Sequence, residues 1–351
     1  MMRNWLKSFV LWPIMVDASV GGLNKERYNY IFRKMKIDVV LITYNQQNYV
    51  SAAVESILKQ ELPDGAQMRL VVADDCSSDG TIEVIKRCTD NSGIETVFLP
   101  SERNLGIEGN YKKAMAAIDA DYVAILEGDD YWCDAKRLEK HIGYLESHPC
   151  CAFSTNAILL FDDIRKTYRH GRGIDRDRCH TLSDMIVNYG IVDNLSSCVF
   201  NSRYLKKIDD VIYDLSKQIG IVKFDELFVF SILKGGGYAF AFQEVMSVYR
   251  VETGNNISRV DWNCDFEQEQ HKKYCKIANG YLDNNFDAEF ANVHAQKKNE
   301  MKRKREQAFR NKYGRFLPPF LVEFLLWLPD AVSWFKHLVW MCIPRGLYRK
   351  K

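Results

Sequence analysis

Apolar and polar positions alternate between two periods along residues 37–126. Residues 37–43 form a β-branched apolar run that reads as a buried strand. Val50, Ala53, Val54, Ile57 and Leu58 then recur at helical spacing, with Asn48 as the expected N-cap and Pro63 as the stop. A second buried strand is predicted over 69–73, a helix through Ile82, Ile85 and Cys88, and a third strand over 95–99. A third helix through Tyr111, Ala114, Met115 and Ile118 and a fourth strand over 121–126 follow. Strands alternating with helices imply right-handed crossovers and a Rossmann-like α/β fold, a mainly parallel sheet with helices on both faces.

The second half mixes its elements. Leu138, Ile142 and Leu145 suit a helix, and residues 152–160 and 196–200 read as strands with a polar loop over 165–180 between them. A helix over 224–233 opens with Asp225 and Glu226 and ends at Gly235-Gly236-Gly237, followed by strands over 238–242 and 245–251. Beyond residue 261 the chain turns helical and charged. No internal repeat is evident.

The polar positions sharpen this picture, because they cluster where the strands end: Thr43 to Asn45, Asp74 with Asp75, and Glu127 to Asp130. Ligands of open α/β sheets bind outside the carboxyl ends of the strands. Glu127, Asp129 and Asp130 crowd onto the end of an apolar strand, where they repel one another and are costly to desolvate without a cation. An oxygen-only ligand set suits Mg²⁺ or Mn²⁺, which commonly bridge carboxylates to phosphates.

Composition excludes some classes and leaves others open. The chain has 351 residues, 47% hydrophobic and 27% charged, enough for one large α/β domain with an appendage or for two domains. A net charge of +2 gives no global case for nucleic-acid binding. Ten cysteines are scattered without a Cys-x-x-Cys pair, which fits a reducing compartment and small core residues. Lys and Arg dominate residues 297–315, and the following apolar stretch to Pro344 is interrupted by Glu323, Asp330, Lys336 and prolines. That combination reads as a surface-seeking helical extension rather than a span, with a membrane surface favoured over a partner subunit. The apolar run within residues 1–20 is too short to cross a bilayer, and Met35, directly before the first strand, is a candidate natural start.

These residues, in this order, resemble the family-2 glycosyltransferases of the glycosyltransferase A-type fold. Residues 39–45, the Ser56-x-x-x-Gln60 pair, residues 72–81, Arg103-Asn104-x-Gly106 and Glu127-Gly-Asp-Asp-Tyr-Trp132 are similar to that family's successive motifs. The resemblance covers roughly residues 36–160 and continues more weakly to about 258. It implies a catalytic domain over 35–258, with a nucleotide-binding half over 35–135 and an acceptor half over 136–258. Residues 1–34 are then an N-terminal extension and 259–351 a helical C-terminal extension.

The same resemblance implies roles. Thr43 and Asp74 would hold the base and ribose, with Tyr44, Asn45, Asp75, Arg103, Asn104 and Glu127 on the nucleotide side. Asp129 would bind the metal, with Glu127 and Glu252 as further oxygen ligands; Glu252 stands where this branch often carries a His. Asp225 would be the base that deprotonates the acceptor, with Glu226 as runner-up, and Asp130 would face the donor sugar or the acceptor. The implied activity is an inverting, metal-dependent transfer from a nucleotide-sugar, a UDP-sugar, onto a glycan or lipid-linked glycan of the cell surface. The implied place is the cytoplasmic face of the cell membrane, reached through residues 297–351. Two rivals stand beside it: a nucleotidyltransferase, disfavoured because residues 44–48 carry no Gly, Lys or Arg, and a non-catalytic assembly scaffold.

Overall fold

The computed structural model describes residues 34–171, 174–187, 192, 194–219, 224–251 and 264–313. Glu252, residues 1–33 and the apolar stretch from 316 onward lie outside the described residues. Strands β1 (Lys36–Thr43), β2 (Gln67–Asp74), β3 (Glu95–Leu99) and β4 (Tyr122–Glu127) pair in parallel in the order β3-β2-β1-β4. Helices α1 (Val50–Leu58), α2 (Thr81–Thr89) and α3 (Gly106–Ala116) connect them. The period-2 rule places Ile37, Val39 and Leu41 against α1, α2 and α4 (Arg137–Ser147) on one face. Val40 and Ile42 face α3, α7 (Val211–Ile219) and α8 (Phe224–Lys234) on the other. These strands are apolar on both sides because both sides are covered.

The second half extends the same sheet with mixed pairing. After β5 (Tyr131–Trp132) come β6 (Cys151–Asp162), β7 (Thr167–His170) and β8 (Arg178–His180). Helix α5 (Leu182–Val187), a 3₁₀ turn over Leu195–Ser197, β9 (Val199–Asn201) and α6 (Ser202–Leu205) lead to α7, α8 and β10 (Tyr238–Val251). Beyond β4 the order is β9-β6-β10-β5. β9 is antiparallel to both β4 and β6, so β6 runs parallel to β4, and β10 runs parallel to β6. The carboxyl ends of β1, β2, β4, β6 and β10 therefore share one edge.

Several expectations are corrected in detail. Tyr49, not Asn48, stands at the α1 N-cap, without a side-chain bond. The strand expected over 196–200 begins only at Val199, because Ser196 and Ser197 form the 3₁₀ turn. The loop expected over 165–180 contains β7 and β8, and 238–251 is one strand whose register shifts between Phe242 and Ser247. α9 (Cys264–Tyr281) and α10 (Asp287–Tyr313) pack against each other, α9 touching α7 and α10 touching α5. No helix among the described residues is long and apolar enough to cross a membrane.

Candidate functional site

The ends of β1 and β2 are locked to each other. Thr43 Oγ1 donates to Asp74 Oδ1 at 2.8 Å, and Ser77 donates to the same carboxylate through its backbone N at 2.8 Å and its hydroxyl at 2.5 Å. Asn45 and Cys76 turn the chain with φ of 52° and 62°. Asn45 N donates to Ser77 Oγ and Ser78 N donates to Asn45 Oδ1, each at 2.8 Å. Lys113 reaches in from α3 to donate to the Asp74 carbonyl at 2.8 Å. Tyr44 is 45% exposed at the rim. Thr43, Asp74 and Asn45 thus form a preorganised polar floor.

Asp75, expected beside the nucleotide, does other work. It is buried and accepts from Leu105 N at 2.7 Å and Gly106 N at 2.9 Å, satisfying donors at the start of α3. Arg103 and Asn104 are exposed just before that helix, and Asn104 Oδ1 also accepts from Gly106 N, at 2.9 Å.

The acidic turn follows β4. Carboxylate oxygens of Glu127, Asp129 and Asp130 lie within 4.8 Å of one another. Tyr111 Oη donates to Glu127 Oε1 at 3.0 Å. Burial, and next the charges of Asp225 and Asp129, push the Glu127 carboxyl up to about 8. Asp225, in the first turn of α8, is near enough for its charge to act on both Glu127 and the Tyr111 hydroxyl. A site that leaves one of its own carboxyls reluctant to ionise suits an oxygen-liganded divalent cation. Glu127 and Asp129 fit as its ligands.

Two candidates face elsewhere. Asp130 is fully buried, and its oxygens accept from Asn194 Nδ2 at 2.6 Å, Ser196 Oγ at 2.7 Å and Arg250 N at 2.9 Å. It ties the acidic turn to the 3₁₀ turn and to β10 through bonds that all stay within the protein, where the sequence reading put it facing the donor sugar or the acceptor. Glu226 is held by the Tyr274 hydroxyl of α9, because one residue along a helix turns the side chain by about 100°.

Residues that reading of the sequence missed hold the acidic turn in place. Ser196 Oγ also accepts from Glu127 N at 3.0 Å, and its carbonyl accepts from Trp132 Nε1 at 2.9 Å and Arg137 at 3.3 Å. Arg137 is wholly buried, bonds Asn156 Oδ1 at 3.1 Å and the Cys198 carbonyl at 3.2 Å, and lies 4.3 Å from the Trp132 ring centroid. Burial lowers it to about 9, which keeps it charged at neutral pH. Replacing Arg137 with Leu would strand those acceptors and is expected to cost about 2–5 kcal/mol in urea unfolding. The Ser-x-x-x-Gln motif has the same purpose: Ser56 Oγ accepts from Trp132 N at 3.1 Å, and Gln60 bridges the Asp134 carbonyl and Leu138 N.

Gly128 admits no side chain. A Cβ there would sit 2.7 Å from Thr43 Cγ2 and closer still to Gln46 Oε1. Gly128→Ala is expected to lose about 1–3 kcal/mol, read by urea unfolding, by forcing the acidic turn off the end of β1.

Residues 38–208 match Glycosyl transferase family 2. Similar proteins include the putative teichuronic acid biosynthesis glycosyltransferase TuaG of Bacillus subtilis, 25% identical over 237 residues, covering 65% of this chain and 84% of TuaG. Staphylococcus aureus TarS 1–349 with UDP-GlcNAc superposes with a TM-score of 0.51 at 18% identity, covering 69% of this chain and 66% of that one. The mannosyltransferase PcManGT of Pyrobaculum calidifontis, with GDP-Man and Mn²⁺, gives 0.50 at 14%, covering 90% and 82%. Matches to uncharacterised mycobacterial proteins, 32% identical, span 38% of this chain and 37% of theirs. Residues 38–208 are therefore a family-2 glycosyltransferase domain, and the sheet around them has the glycosyltransferase A-type fold.

Proposed function

We propose that this protein is an inverting, metal-dependent glycosyltransferase that moves a sugar from a nucleotide-sugar, a UDP-sugar, onto a cell-surface glycan. The observation that carries this reading is the gathering of the Glu127, Asp129 and Asp130 carboxylates within 4.8 Å of one another at the end of β4, beside the Thr43–Asp74 floor, with the Asp225 charge near enough to act on Glu127. The names of TuaG and of TarS, a poly(ribitol-phosphate) β-N-acetylglucosaminyltransferase 27% identical over 182 residues, support a surface-glycan acceptor. UDP-GlcNAc in the TarS complex supports a UDP-sugar donor, and the PcManGT complex with GDP-Man and Mn²⁺ supports the metal.

Asp74 and Thr43 bind and orient the nucleoside. Asp129 and Glu127 would hold Mn²⁺ or Mg²⁺, which when bound supplies positive charge to the diphosphate leaving group. Asp225 is the base for the acceptor hydroxyl: an inverting displacement needs a base opposite the leaving group, and Asp225 is a carboxylate near this site that the acidic turn itself does not supply. The basic residues of α10 and the apolar segment after it would rest on the inner membrane surface.

Calorimetry with UDP tests the reading, followed by a screen of nucleotide-sugars for metal-dependent hydrolysis. UDP is expected to bind with Mn²⁺ and to be released by EDTA. An absence of UDP binding in Mn²⁺ would leave a scaffold instead, and pyrophosphate as the released product would indicate nucleotidyl transfer.

A further inference from the structure

The β6–β7 hairpin and the end of β10 form an aromatic surface beside the acidic turn that none of the roles above uses. Tyr168 on β7 is 56% exposed although its ring packs on Phe161, with centroids 4.7 Å apart. Its hydroxyl lies 3.0 Å from that of Tyr131, the residue directly after Asp130. Arg250 lies near three rings, 5.0 Å from the Tyr131 centroid, 5.4 Å from Phe161 and 5.6 Å from Tyr49. Its guanidinium is 3.6 Å from Asp163, which also takes Lys166 at 3.0 Å and the Tyr49 hydroxyl at 3.4 Å. The Arg250 backbone N–H, bonded to Asp130, fixes the whole patch to the acidic turn.

Its place in the sheet says which substrate it meets. The nucleoside floor lies at the ends of β1 and β2, on one side of β4. The aromatic patch lies at the ends of β6 and β10, on the other side of β4 and on the same edge. A donor laid from Thr43–Asp74 to Asp129 points its sugar toward the patch, and the group attacking that sugar must come from beyond it.

We propose that Tyr168, with Tyr131 and Lys166 at its rim, is the acceptor subsite, on which a pyranose ring of the growing glycan stacks. A pyranose offers one face of C–H bonds, slightly positive, that suits the electron-rich face of a phenol ring. Its hydroxyls need donors and acceptors at the edge, and the Tyr131–Tyr168 hydroxyl pair and the Lys166 ammonium, 67% exposed, supply them. Asp163 and Arg250 hold this frame together rather than touching the sugar. The assignment rests on the glycosyl-transfer reading above and names the wall where its acceptor sits.

The test uses the full chain with UDP and Mn²⁺ and a panel of p-nitrophenyl glycosides, followed by saturation-transfer NMR, with UDP affinity measured in parallel. At least one glycoside is expected to bind the wild-type protein, Tyr168→Ala to weaken it about tenfold, and Tyr168→Phe to keep most of it, with UDP affinity unchanged in both variants. Glycoside binding untouched by Tyr168→Ala, or no glycoside bound by a protein that binds UDP, overturns the subsite alone. A Tyr168→Ala protein that loses UDP affinity also overturns it, because the residue would then serve the donor or the fold. Failure of the wild-type protein to bind UDP overturns the transfer reading and the subsite with it.

Discussion

Asp225→Asn is expected to lower turnover about 10²–10⁴-fold while leaving UDP affinity in Mn²⁺ within a factor of about two. The side chain keeps its size and its place in the first turn of α8, and only the ability to take a proton is lost. Its neighbour supplies the control. Glu226 is engaged by Tyr274, so Glu226→Gln is expected to change turnover little. Removing the Asp225 charge also relieves Glu127, whose carboxyl that charge helps to hold up. The variant should therefore bind Mn²⁺ at least as well as the wild-type protein below pH 8. Lost turnover with retained UDP and metal binding identifies a base; lost binding of both would make Asp225 part of the binding site. Equal losses in Asp225→Asn and Glu226→Gln would point to damage to α8 rather than to chemistry.

The first half was legible because its signals are strong and redundant. β-branched runs at 37–43 and 69–73 are buried on both faces, and each ends in a polar turn that can only lie at a sheet edge. The second half hid its elements for physical reasons. β7 is exposed along its whole length, so no alternation marks Thr167–His170 as a strand. β10 is uninterrupted in the structure but carries Gln243-Glu244 where its register shifts, and a polar pair inside an apolar run reads as a break. Ser196 and Ser197 are β-compatible in sequence, yet their hydroxyls serve Asp130 and Thr155, which bends the chain into a 3₁₀ turn. Among the candidate site residues, sequence placed the carboxylates at the right edge but not their direction. Asp74 and Asp75 are adjacent on a strand end and face opposite tasks, one the polar floor and the other the cap of α3. Arg137 left no signal at all, since a basic residue opening an amphipathic helix reads as solvated until burial is known.

Mn²⁺ binding is expected to strengthen with pH up to about 8 and then level off, by up to about tenfold per unit where one proton is released. The ion-free site keeps the Glu127 proton because burial and the charges of Asp225 and Asp129 oppose ionisation, and a cation must displace that proton to use the carboxylate. The sign for stability is opposite. A carboxyl raised from 4.5 to about 8 contributes stability that is complete below 4.5 and lost as pH rises through 8. In EDTA the protein should therefore weaken across that window, and Glu127→Gln should flatten the decline. Mn²⁺ should restore the loss, so its effect on Tm is largest at the alkaline end. Asp129→Asn removes a ligand and one of the repelling charges together. It is expected to make the ion-free protein less pH-sensitive, to abolish the Mn²⁺-dependent shift in Tm, and to cut turnover at least about 10²-fold. A Tm that responds to Mn²⁺ equally in wild-type and Asp129→Asn proteins would place the ion away from the acidic turn. The same carboxylates would then have to be explained without a cation, as a repulsion that the fold tolerates by keeping protons on Glu127 and Asp130, both pushed up by burial and by the Asp129 charge.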